Sequence, residues 1–173
     1  MSYSSSAALA VSRTVLRALI ILNIIAAVTF LLILVGSVLG RAAVLAELES
    51  WPGAIDTATV LTGLRLVMVI GLLMVPLAHI IMVRLLAMGE TVRAGDPFVA
   101  ENARRLGTIA WALLGVQLLD LAFGAVSLTL FASNKELSWN LTITGWLAVL
   151  LLFVLARVFD QGARMRDELE GTV

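Results

Sequence analysis

Four long apolar runs constrain this chain more than anything else in it. They span residues 18–39, 66–87, 109–131 and 141–159. At about 1.5 Å of rise per residue, the first would extend roughly 33 Å as a helix, enough to cross a hydrocarbon core of roughly 30 Å. The runs lack the period-two alternation of strands, and in lipid only helices and closed barrels satisfy their own backbone groups. The expected fold is therefore all-α, a four-transmembrane-helix bundle. Composition agrees: 61% of residues are hydrophobic and 14% charged, against about 45–50% and 25% in a soluble domain. The first run is also longer than the core of a cleaved signal peptide, usually about 7–15 residues, so it reads as an anchor.

The runs divide the chain into an N-terminal segment 1–17, a transmembrane domain 18–159 with a loop at 88–106, and a charged tail 160–173. Orientation follows from where the basic residues collect. Arg13, Arg17, Arg84, Arg93, Arg104, Arg105, Arg157, Arg164 and Arg166 fall on one side, and Arg41, Arg65 and Lys135 on the other. The positive-inside rule then predicts both termini and the 88–106 loop in the cytoplasm. Trp51-Pro52-Gly53 breaks the first external connection, Ser133 to Glu136 make a short second turn, and Pro76 predicts a kink within the second run. Asp56 or Thr57 is a candidate cap for the helix leading into that run.

Several chemistries are excluded or disfavoured by content. There is no cysteine and only one histidine, His79, so neither thiolate nor multi-histidine metal sites are available. No Walker loop, GxSxG or HExxH motif is present, and no nucleophile–base set is visible. Formal net charge is zero, which gives no field for direct binding of nucleic acid. The chain reads as non-enzymatic, with no cofactor and no metal.

Four polar residues interrupt the apolar runs: Asn23, His79, Gln117 and Asp120. Polar groups at this depth are expensive, and each is either a functional candidate or interhelical glue. Counting along the helices puts His79 about 12 Å and Asp120 about 21 Å from the loop side, too far apart for a direct relay. Asp120 is expected to pair with Arg65 reaching in from the opposite surface. Asn23 and His79, both nearer the loop, are expected to hydrogen-bond across helices. Gly36-x3-Gly40 could permit a close helix contact.

The loop carries the most patterned polar chemistry. Gly95-Asp96-Pro97-Phe98 reads as turn, N-cap, first helical position and first helical side chain. A helix starting there would place Phe98, Asn102, Leu106 and Ile109 on one face, with Glu101 and Arg105 paired alongside. Such a segment orients the third span, or docks either a partner or the tail. The tail itself repeats apolar residues at helical spacing, Val158, Gly162, Met165 and Leu169, and pairs Asp160 with Arg164. Arg84-x4-Gly89-x2-Val92-Arg93 after the second run matches Arg157-x4-Gly162-x2-Met165-Arg166 after the fourth. That match is compatible with a 2+2 parallel repeat, but arginines are common at cytoplasmic helix ends and the first and third runs show little similarity, so chance is the plainer reading.

RAGDPFVAENARRLGTIAW, together with VFDQGARMRDELEGTV, resembles the bacterial family called domain of unknown function 2975. Gly95, Asp96, Pro97, Phe98, Asn102, Arg105 and Leu106 carry the first patch. Phe159, Gly162, Arg166 and Glu170 to Val173 carry the second. The resemblance implies a small four-helix integral membrane protein with no established catalytic residues. Members are often encoded beside a helix-turn-helix regulator of the Cro/repressor type, which implies a soluble partner of that class. Many members end in a different tail, rich in Glu and Asn before Leu-Thr-Ile, where this chain ends in Glu-Gly-Thr-Val.

Two functions follow as expectations. In the first, the protein is a regulatory or scaffold protein binding a soluble partner through Gly95, Asp96, Pro97, Phe98, Asn102, Arg105, Gly162, Arg166 and Glu170. In the second, it is a small transporter or channel, as a homo-oligomer, using Asn23, His79, Gln117 and Asp120.

Overall fold

The structure is a computed structural model that describes the backbone of residues 2–50, 56–130 and 139–170. Five helices account for nearly all of it: α1 (Ser2–Leu39), α2 (Arg41–Glu49), α3 (Thr57–Arg93), α4 (Ala100–Leu130) and α5 (Ile143–Glu170). Four are long and apolar enough to cross a membrane, over Val11–Leu39, Thr57–Arg93, Ala100–Thr129 and Ile143–Arg166. The first two contain their apolar runs whole, the third and fourth cover all but two residues of theirs, and each extends beyond its run on the loop-and-tail side. The extra turns carry the charges, because a helix has no reason to stop where its side chains turn polar.

The long helices pack in chain order. α1 lies on α3, α3 on α4, and α4 on α5. α4 is in the middle and is the best-buried element, through Asn102, Ala103, Leu106, Ile109, Ala110, Ala112 and Ser127. Three of those seven are alanines. Small side chains let backbones approach closely where lipid tails offer no hydrophobic incentive to associate. The outer helices show the reverse: Leu22, Leu32 and Val38 on α1, and Leu147, Leu151 and Val154 on α5, are exposed. On a protein in water, faces like these would aggregate; against acyl chains they are solvated.

Helix ends are set by identifiable groups. α1 stops at Leu39, where Gly40 turns the chain and α2 begins. The Arg65 guanidinium, arriving from α3, donates to the Ser37 carbonyl, and its Nε donates to Ser37 Oγ at 3.2 Å. It thereby satisfies a carbonyl of the last turn of α1, which has no intrahelical partner. This replaces the expected Arg65–Asp120 pair. Arg65 lies on the helix that α1 packs against, and the terminal carbonyls of α1 are the nearer acceptors.

Asp56 caps α3. Its carboxylate accepts from the Ala58 and Thr59 amides at 3.2 and 3.3 Å, and from the Thr59 hydroxyl. The Thr59 hydroxyl, followed by the Thr59 amide, holds the Asp56 carboxyl below the usual carboxylate range. Trp51-Pro52-Gly53 and Ser133 to Glu136, where turns are expected, lie outside the described residues. The connection before α3 is not simply a loop, since residues 41–49 form a helix that buries Leu48.

Gly36-x3-Gly40 does not bring two helices together among the described residues. A Cβ added at Gly36 would meet nothing within 4 Å, and one at Gly40 only its own chain's Gly36 carbonyl oxygen.

Candidate functional site

The N-terminal part of α1, the α3–α4 connection and the C-terminal part of α5 meet at one end of the molecule. Arg13 of α1 pairs with Glu90 of α3 at 3.2 Å, and Asp96 of the connection pairs with Arg166 of α5. The sequence places these three segments on one side, and the contacts bring them there.

The connection is built differently from the sequence reading. Gly95 and Asp96 close α3 rather than open α4. Gly95 has φ +87°, the left-handed region that only glycine enters at little cost. Its amide donates to the Val92 carbonyl at 3.1 Å, and the Asp96 amide to the Thr91 carbonyl at 3.1 Å. That pair of bonds is a Schellman cap. α4 begins only at Ala100, so Asp96 is not its N-cap and Pro97 not its first residue. The reading failed because Gly-Asp-Pro carries both a helix-stop and a helix-start signal, and the stop is satisfied. The Asp96 carboxylate is thereby left free to reach Arg166.

Asn102 is the hub of the connection. Its side chain is 1% exposed. Nδ2 donates to Thr91 Oγ1 at 2.6 Å and to the Pro97 carbonyl at 2.9 Å. Its Oδ1 accepts from an Arg105 guanidinium nitrogen at 3.0 Å, and the same nitrogen donates to the Ala87 carbonyl at 3.2 Å. Arg105 Nε lies 3.5 Å from Glu101, which also holds Arg104 at 2.6 Å. One amide thus ties the end of α3, the connection and the start of α4 together. Three of the four expected face residues are confirmed as buried, Asn102, Leu106 and Ile109. The fourth, Phe98, precedes the helix and turns elsewhere.

Phe98 turns onto the tail. Its ring centroid is 5.1 Å from that of Phe159, and it covers Gly162, where an added Cβ would stand 3.4 Å from the Phe98 ring. Over Val158, Gly162 and Met165 the expected stripe is displaced by about one residue, and its fourth member, Leu169, has its side chain outside the described residues. The contacting face is Phe159, Gly162, Ala163 and Arg166, with Ala163 buried, while Val158 and Met165 stand 52% and 60% exposed. Val and Met report apolar character equally well toward protein and toward lipid, which is why the pattern misled. Asp160 and Arg164 pair at 3.0 Å as expected. Glu170 ends α5, but its side chain and residues 171–173 lie outside the described residues.

The intramembrane polar residues do not converge. Asn23 Nδ2 donates to the Val75 carbonyl at 3.1 Å, not to His79. His79 is half-buried on α3. Asp120 accepts from Trp139 Nε1 at 3.1 Å, and the Trp139 indole also covers Gly124, where a Cβ would clash at 2.6 Å. The Gln117 amide lies over Gly145, leaving only 2.0 Å to an added Cβ. Gln117, Asp120 and Gly124 thus clasp α5 and its leading segment. Sequence reasoning missed Trp139, although an indole N–H needs a partner at the membrane boundary and Asp120 offered one. Among the described residues no three His, Cys, Asp or Glu side chains approach as a metal site would require.

Fold and surface together define a multi-pass helical membrane protein. More narrowly, the chain belongs to the family described as protein of unknown function DUF2975, whose model matches residues 20–173. No curated protein and no solved structure matches it.

Proposed function

We propose that the protein is a non-enzymatic regulatory or scaffold protein of the bacterial inner membrane. Its termini face the cytoplasm, and the loop-and-tail end docks a soluble partner such as a helix-turn-helix regulator. The observation that carries this reading is the clasp between the connection and the tail. Asp96 holds Arg166, and Phe98 sits on Gly162 and Phe159 while remaining 48% exposed. Two segments remote in sequence are thus joined into one mixed apolar and charged surface, and the bonds joining them are weak. An exposed ion pair contributes about 0–1 kcal/mol and an aromatic pair about 0.5–1.5 kcal/mol. A partner able to supply equivalent contacts can compete with the tail.

Purification of the intact protein from mild detergent is expected to recover a soluble DNA-binding protein. Phe98→Ala, or truncation after Phe159, should reduce that recovery. Absence of any such protein across several detergents would defeat the proposal. The alternative, a small transporter or channel using Asn23, His79, Gln117 and Asp120, has less support: Asn23 and Asp120 each hydrogen-bond a local partner, and Gln117 packs over Gly145.

A further inference from the structure

We propose that Arg17, Arg84 and Arg157 form a belt that binds the phosphates of anionic phospholipids. The basis is a division among the arginines at the loop-and-tail end. The acids there that form ion pairs already have an arginine: Glu90 has Arg13, Asp96 has Arg166, Glu101 has Arg104 and Arg105, and Asp160 has Arg164. Arg17, Arg84, Arg93 and Arg157 are exposed, and among the described residues none of them takes part in those pairs; Arg93 ends α3 beyond Glu90, so only the other three lie inward of the paired level.

Their depth is the second observation. Along their own helices, Arg17 lies about 6 Å inward of Arg13, Arg84 about 9 Å inward of Glu90, and Arg157 about 14 Å inward of Arg166. Each has an exposed apolar neighbour on its own helix face: Ile21 four residues after Arg17, Ile80 four before Arg84, and Val154 three before Arg157. A guanidinium beside lipid-facing aliphatic groups cannot stay among acyl chains. It extends along its stem toward the headgroup layer. The acceptors there are phosphate oxygens, which suit the planar guanidinium fork. A zwitterionic lipid brings its own ammonium to neutralise that phosphate, whereas an anionic lipid leaves it for the protein. The belt stands apart from the clasp and does not depend on the proposed function.

The test compares thermal unfolding in nanodiscs of phosphatidylcholine alone with nanodiscs also containing phosphatidylglycerol. The wild-type midpoint should rise with phosphatidylglycerol, and native mass spectrometry should show retained phosphatidylglycerol. The triple variant R17Q/R84Q/R157Q should lose most of both, and R164Q neither. Should the triple variant fail to fold, each single Gln variant is expected to lose part of the shift. A full shift retained by the triple variant, or by all three single variants, would overturn the belt. So would a wild-type protein indifferent to phosphatidylglycerol. Soluble glycerol phosphate should not reproduce the shift; if it did, the site would be one for free phosphate.

Discussion

Asn102 and Thr91 meet at 2.6 Å across the connection between α3 and α4, and that bond belongs to the enclosed half of the loop-and-tail end, not to its exposed half. Asn102 is fully enclosed, so its three hydrogen bonds are made without competition from water. Phe98 and Arg166, only a few residues or one helix away, are half-exposed. The same short connection therefore contains a fixed corner and a detachable clasp.

The fixed corner should respond strongly to substitution. Asn102→Ala removes two donors and one acceptor and leaves the Pro97 carbonyl and the Arg105 guanidinium short of partners. Stranding buried polar groups costs about 1–3 kcal/mol. Thermal unfolding in detergent should show a loss of that size, with protease sensitivity appearing between Arg93 and Ala100. Asn102→Asp keeps the acceptor for Arg105 but not the donors, and should fall between Ala and wild type.

The clasp should respond weakly and be sensitive to salt. A double-mutant cycle over Asp96→Asn and Arg166→Gln is expected to give a coupling of about 0.2–1 kcal/mol, shrinking as ionic strength rises. A spin-label pair on the connection and the tail should report separation on Phe98→Ala at high salt, with α4 unchanged. A coupling of several kcal/mol would mean that the tail is a fixed part of the fold and unavailable for exchange.

How far the sequence anticipated this arrangement depends on which force decides each feature. The spans were legible because burial of backbone polar groups in lipid leaves long helices as the solution, and apolar length alone reveals them. The meeting of the loop and tail on one side was legible from charge. The start of α4 was not, because Gly95-Asp96-Pro97 carries two opposite signals and only tertiary contacts choose between them. Nor were the partners of Arg65 and Asp120. Depth along a helix places His79 and Asp120 at different levels. It gave no information on which neighbour each side chain faces, and so missed Ser37 and Trp139.

Asp56 makes acidity a probe of the other end of α3. Its carboxyl is held below the usual range, chiefly by the Thr59 hydroxyl, so the folded state binds that proton less readily than the unfolded state does. The cap's contribution is complete above the ordinary carboxylate range and is lost as pH falls through the lowered value. Hydrogen exchange at the Ala58 and Thr59 amides should accelerate in that acid window relative to the rest of α3. Asp56→Asn should remove the pH dependence while preserving a weaker cap. Equal acid sensitivity in Asp56→Asn would show that another group is responsible.

Gln117 and Gly145 offer the sharpest separation of a packing role from a transport role for the intramembrane polar residues. A Cβ at Gly145 would stand 2.0 Å from Gln117 Nε2 and 2.6 Å from its amide carbon, so Gly145→Ala cannot be accommodated without displacing that side chain. Overpacking of this kind costs about 1–3 kcal/mol. Gln117→Ala empties the same space. The double variant should then be more stable than the sum of the two single losses implies, since residues in direct contact are not additive. The measurement is thermal unfolding of the four proteins in one detergent. Additive losses would mean that Gln117 does not occupy the space over Gly145, and would return it to the pool of side chains free to face a substrate.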